Sequence, residues 1–170
     1  MVPEPQPARI HARITTEPLD AAAALASART DADGALLLFV GVVRNHADGR
    51  AVMGMRYDAY VDMAHEVLLA IAGEAAEELG SPRVWVEHRI GRLAIGEASV
   101  VIVSASPHRQ ESFDAVRYVI EEIKKRLPVW KKEEYVDGQE GWVAGRTPPG
   151  TGAADDVTRT HESVEQGRGA

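Results

Sequence analysis

The chain has 170 residues, 19 Lys and Arg against 26 Asp and Glu, and a formal net charge of −7. One domain with a real core is expected at this length. A general polyanion binder is excluded because neutralising phosphates takes a surplus of cations. The absence of Cys excludes disulfides, thiolate zinc sites, iron–sulfur clusters and a cysteine nucleophile.

Residues 1–8 carry Pro3, Pro5 and Pro7 and are expected to form an extended arm. They show neither a basic start nor an apolar h-region, so no secretory signal is expected and the cytoplasm is the expected location. Arg9–Ile14 alternates polar and apolar and predicts a half-buried strand. Pro18–Arg29, rich in Ala, predicts a helix starting at Pro18. Ala35–Val43 predicts a buried strand, with a bulge or close backbone approach at Gly41. It is also the longest apolar run, far too short to span a bilayer, so no membrane is involved.

A loop with a turn at Asp48-Gly49 follows, then a strand over Met53–Tyr60. Val61–Leu79 predicts a helix capped by Asp62 and closed by Gly80. Arg83–Ile90 alternates as a strand, and Ser99–Ala105 predicts a buried strand. Gln110–Leu127 predicts a helix stopped by Pro128. Val129–Val136 and Gly141–Val143 predict a hairpin. Residues 147–170 are polar and Gly-rich at the start and are expected to be a disordered tail. The pattern is α+β, with one folded body over 9–146, because strands and helices mix without βαβ repetition.

The chemistry concentrates between Ser104 and Lys132. This segment holds seven Lys and Arg and four Asp and Glu, so it is +3 inside an acidic chain, a candidate anion site. At about 100° per residue, Phe113, Val116, Ile120, Ile123 and Leu127 form one stripe, with Lys124 at its edge and Lys125 in solvent. Lys124 is therefore the amine expected to be partly enclosed, where neighbouring cations and lost water make an amine a usable base or nucleophile. The competing structural role is a snorkelling stem that covers the core. Pro107-His108-Arg109 precedes the helix, where free N–H groups favour an anion and the two side chains suit phosphate or carboxylate; simple capping by Ser106 is the alternative. Arg44-Asn45-His46 ends the most apolar strand, a common place for ligand contacts. No HxH or HxxxH spacing, P-loop, GxGxxG or GxSxG is present.

Taken in order, Phe39-Val40-Gly41-Val42-Val43-Arg44-Asn45-His46, His88-Arg89-Ile90-Gly91 with Gly96-Glu97, Ser106-Pro107-His108-Arg109 with Phe113, Lys124-Lys125-Arg126-Leu127-Pro128-Val129-Trp130-Lys131-Lys132-Glu133, and Trp142-Val143 resemble the large, catalytic subunit family of molybdopterin synthase. The resemblance spans about residues 9–146. It implies an α/β hammerhead fold and a sulfurtransferase that needs no cofactor. The implied substrate is cyclic pyranopterin monophosphate (precursor Z), which gains two sulfurs as the molybdopterin dithiolene. The sulfur donor is the C-terminal thiocarboxylate of a small ubiquitin-like carrier ending in Gly-Gly. The large subunit is implied to form a homodimer with one carrier at each end. By motif, Lys124 and Lys131 take the catalytic positions. Arg44, His108, Arg109 and Arg146 take positions around the pterin phosphate, with His108 and Arg109 crossing the dimer.

Two functions from different classes follow. One is that enzyme. The other is a binding module on the same fold for a phosphate ligand or a partner, against which the retention of both lysines argues. An RNA-binding role for the basic helix is disfavoured by the overall charge.

Overall fold

A computed structural model describes residues 8–143. The expectations for the arm (apart from residue 8), for the tail over 147–170 and for Arg146 fall outside the described residues.

The elements run β1 (Arg9–Thr15), α1 (Ala21–Ala28), β2 (Ala35–Val42), β3 (His46–Ala47), β4 (Arg50–Ala59), α2 (Val61–Glu78), β5 (Arg83–Arg89), β6 (Gly91–Ala94), β7 (Ala98–Ser106), α3 (Arg109–Arg126), β8 (Val129–Tyr135) and β9 (Glu140–Trp142). One sheet has the order β1-β5-β7-β2; the other runs β3-β4-β8-β9, with β6 also on β4. Only β1 and β5 pair in parallel, in the register His11 opposite Trp85. Three helices and two sheets make the fold α+β, as expected. No helix among the described residues is long and apolar enough to cross a membrane.

The first sheet is covered on both faces, which explains why β5 and β7 are so apolar. Val84, Val86, Val100 and Ile102 pack against Leu68 and Ile71 of α2 and Val116 and Val119 of α3. Val101 and Val103, on the opposite face, meet Ala24 and Ala28 of α1. Tyr118 and Arg126 of α3 both donate hydrogen bonds to Glu74 of α2, at 2.7 Å and, for Arg126 Nη2, 2.9 Å. That ties the C-terminal half of α3 to its neighbour. In the second sheet, Asp48 and Gly49 both take positive φ (47° and 77°) and form the tight β3–β4 hairpin turn.

Four local expectations change. α1 begins at Ala21, not at Pro18, because Asp20 supplies the cap and accepts from the Ala23 amide at 2.9 Å. Asp62 does not cap α2: Tyr60 is the N-cap residue, without a side-chain cap, and Asp62 sits in the first turn, where its charge suits the helix dipole. β2 is not a buried strand. It is the sheet edge, so Leu37 and Phe39 reach the core while Leu36, Leu38 and Val42 stay exposed. Phe113 is also exposed. The buried stripe of α3 is Ser112, Ala115, Val116, Val119 and Ile123, because the small Ser112 and Ala115 let the helix sit close to the sheet. Gly41 behaves as expected. The β2–β7 register shifts there, and a Cβ on Gly41 would lie 2.7 Å from Val100 Cγ1. The short strand β6 was not anticipated.

His88 of β5 is only 6% exposed. Its Nδ1 lies 2.9 Å from the carbonyl oxygen of Arg89, which can only accept, so Nδ1 carries the proton. Burial lowers its pKa from 6.5 to about 4. The unfolded chain therefore takes up this proton first as pH falls. The stability linked to His88 is complete above pH 6.5 and drops by up to about 3 kcal/mol on the way to pH 4. Melting temperature followed from pH 7 to pH 4 should fall more steeply for the native chain than for His88→Gln; parallel curves would contradict this linkage.

Candidate active site

α3 delivers its C-terminal turn to the junction of the two sheets, and β8 leaves from the same point. Leu127, 3% exposed, closes the helix with its amide on the Ile123 carbonyl at 3.0 Å. Its backbone has already turned to an extended ψ of 124°, as a residue before proline must. Val129 then begins β8, which pairs with β4 in the register Tyr57 opposite Lys131 and Asp58 opposite Trp130. Trp130 is buried, with Tyr60 edge-on at 5.2 Å, so the start of β8 is anchored.

Around this turn lies a cavity of about 490 Å³. The first sheet contributes Phe39, Gly41 and Val42 from β2, His88 from β5 and Ser99 and Val100 from β7. The second sheet contributes Tyr57, Val129 and Lys131, and α3 contributes Ile120, Ile123 and Lys124. The walls are mostly apolar. Gly41 matters here because its missing side chain lets β2 close on Val100 at the cavity edge.

Lys124 and Lys131 therefore line one hollow. Neither is enclosed within the single chain: both are exposed. For Lys124 this overturns the expected partial burial. The true buried stripe of α3 is centred near Ser112 and Ile123, which leaves Lys124 about 120° away from it. The snorkelling alternative loses its basis for the same reason.

The chain's four lysines are 124, 125, 131 and 132, and they divide by their partners. Lys125 donates to Glu122 at 2.9 Å, which raises its pKa. Lys132 pairs with Glu140, whose carboxyl is held below its ordinary value mainly by that contact. Lys124 and Lys131 have no ion pair among the described residues. Among the described residues, the two lysines without an ion pair are the two on the cavity.

The cavity floor is polar and was not anticipated. Tyr57 and His88 meet edge-on with ring centroids 5.4 Å apart. Burial raises the Tyr57 pKa, opposed by a side-chain hydrogen bond with Ser99, so the phenol stays protonated. Ser99 also donates to the Gly41 carbonyl at 3.2 Å. The legible signal was the inward alternation of β5, which puts His88 on the same face as Val84 and Val86.

The other anticipated site residues stand apart. Arg44 is exposed, two residues past the cavity wall at Val42. His108 is the N-cap residue of α3, without a side-chain cap, and Arg109 opens the helix; both are exposed. Ser106 does not cap the helix, since its hydroxyl donates to the His108 carbonyl at 2.7 Å and lies 2.5 Å from Ser112 Oγ. Along the helix axis Arg109 is about 22 Å from Lys124, so one chain does not bring them together. Among the described residues no cluster of three His, Asp or Glu could hold a metal ion.

One matching motif turns out to be structural. Glu97 accepts the Ala94 amide at 2.7 Å and Arg89 Nη1 at 3.0 Å, and these contacts hold its carboxyl below the ordinary range. With Gly91 and Gly96 at positive φ, the His88-Arg89-Ile90-Gly91 and Gly96-Glu97 pieces clamp the β6 excursion.

Comparison with known proteins shows the family of the chain. A family model described as MoaE protein matches residues 14–126. Molybdopterin synthase catalytic subunit 1 of Mycobacterium tuberculosis is 41% identical over 136 residues, covering 80% of this chain and 92% of the relative. The crystal structure of molybdopterin synthase from Staphylococcus aureus superposes with a TM-score of 0.73 at 34% identity, covering 76% of this chain and 94% of that one. A Helicobacter pylori structure of a complex of subunits 1 and 2 of molybdopterin-converting factor shares the fold, with a TM-score of 0.63 at 22% identity, covering 80% and 92%. By sequence match, coverage and fold, the chain belongs to the MoaE family.

Proposed function

We propose that this chain is a cytoplasmic sulfur-transferring enzyme, the catalytic subunit of a molybdopterin synthase, acting on cyclic pyranopterin monophosphate. The sulfur comes from the C-terminal thiocarboxylate of a small ubiquitin-like carrier ending in Gly-Gly. The activity follows from the family. The observation that carries the site assignment is the pair of uncompensated lysines, Lys124 and Lys131, on one open cavity. A chain without Cys cannot carry sulfur on a thiol, so a partner must bring it. A thiocarboxylate end is anionic, and two ammonium groups at the edge of an apolar hollow attract it. The Helicobacter pylori relative, solved as a two-subunit complex, supports a second subunit here.

Lys124 moves a proton at the reacting pterin side chain. Lys131 stabilises the negative charge that develops during transfer. The substrate phosphate is held by Arg44 together with His108 and Arg109 from a second copy of the chain, and Arg146 joins them. Two features support the second copy. α3 sets its two ends too far apart for one chain to use both. The β2 edge is unpaired among the described residues, carries exposed Leu36, Leu38 and Val42, and runs from the α3 N-terminus at Ala35–Ser106 to the cavity at Gly41–Val100. A two-fold axis near the middle of β2 carries one copy's α3 N-terminus toward the other's cavity.

Reconstitution with thiocarboxylated carrier and precursor Z tests this. Lys124→Ala should lower dithiolene formation by about 10²–10³-fold, as loss of a preorganised charged donor does, with melting temperature unchanged and the carrier still bound. Near-normal product from that variant would refute the assignment, and carrier binding without product from the native chain would favour a binding module. A second measurement addresses the shared site. Lys124→Ala and Arg109→Ala chains, each inactive alone, should recover about a quarter of native activity when mixed and re-equilibrated, since a two-fold dimer then holds that share of intact sites. No recovery would place Arg109 outside the neighbouring site.

A further inference from the structure

The cavity floor holds a hydrogen-bond acceptor that neither lysine can provide. His88 Nδ1 is committed to the Arg89 carbonyl, so in the neutral ring Nε2 keeps its lone pair. Nε2 makes no hydrogen bond among the described residues. It is not sealed away either. Among the described residues, the buried side-chain polar atoms lacking a partner are Trp85 Nε1 and Glu111 Oε2, and His88 lines the cavity. Tyr57, edge-on at 5.4 Å, fixes the ring. An acceptor held this way and left open to the hollow has a place for a donor from whatever fills it.

We propose that His88 Nε2 accepts a hydrogen bond from a ring N–H or hydroxyl of the pyranopterin, which makes His88 a substrate-binding residue of the sulfur-transfer site. This rests on the function proposed above. The order of groups along the cavity separates the pterin from the carrier tail. The lysines are exposed, whereas His88 is buried in the cavity wall. A tail that enters end-on stops where its terminal anion meets the lysines, and its amide N–H groups trail back toward solvent. The group beyond the lysines is then the sulfur acceptor. The mostly apolar walls, which include Phe39, Tyr57 and Trp130, suit a flat fused ring there. An acceptor also selects differently from a cation. It rewards a neutral donor and leaves the phosphate to the arginines.

Three measurements on the full-length chain test the proposal. Native activity with carrier and precursor Z comes first, because its absence would defeat the proposed function and not this inference. His88→Leu should then weaken precursor Z binding, and raise its KM, about tenfold, the size of one buried hydrogen bond. Carrier affinity should be unchanged. His88→Gln, which can place its amide oxygen near the Nε2 position, should recover most of the loss. Unchanged substrate affinity in His88→Leu, or a loss of carrier affinity instead, would overturn the proposal. Should His88→Leu fail to fold, nitrogen NMR of the native chain decides the matter: adding precursor Z should shift the unprotonated Nε2 resonance upfield as its lone pair becomes engaged. A resonance that does not move would overturn the proposal equally.

Discussion

Pro128 has no amide hydrogen, and its ring keeps Leu127 out of the helical region, so α3 must stop and β8 must start within two residues. Leu127 is buried and Trp130 is buried, and each pins one side of that turn. Lys124 lies one turn of helix before it and Lys131 lies on the strand just after it. The helix phase and the strand register then bring both amines to the same hollow. The β4 pairing fixes the second of these by setting Lys131 opposite Tyr57. Everything else in the site is arranged around this joint. The Glu74 contacts hold the helix side, and the hairpin of β8 with β9 holds the strand side.

Charge placement does the rest. A chain of net charge −7 gains a local cation surplus only where its own carboxylates are kept away. Among the described residues, Glu122 and Glu140 neutralise Lys125 and Lys132 and leave Lys124 and Lys131 without an ion pair. The floor adds neutral polarity through His88 and Tyr57. Burial keeps the imidazole uncharged and the phenol protonated at neutral pH. The cavity thus offers cations at its mouth and neutral hydrogen-bonding groups at its base.

Much of this was legible in the sequence. The α+β pattern, the strands β1, β5, β7 and β8, the helix α3 and its stop at Pro128 followed from periodicity and breakers, and the motifs around Lys124 and Lys131 carried the family. What was not legible depended on neighbours. Nothing in Ala35–Val43 reveals that β2 is a sheet edge, because an apolar run reads as buried until its partners are known. The phase of α3 was misjudged because Ser112 is polar yet buried, so the apparent stripe included Phe113 and drew Lys124 toward the core. His88 looked like one more inward residue of an alternating strand, and its value as an acceptor depends on the Arg89 carbonyl and on the cavity formed by other elements. Arg44, His108 and Arg109 were named from motifs as phosphate-binding residues, and one chain holds all three exposed and away from the cavity wall.

The decisive measurement is a crystal structure of the chain bound to its thiocarboxylate-ended carrier. The terminal glycine should enter the cavity between β2 and β8, with its sulfur or oxygen within hydrogen-bonding reach, about 3 Å, of both Lys124 Nζ and Lys131 Nζ. A carrier tail seated elsewhere on the chain, with the two amines still facing solvent, would contradict the account.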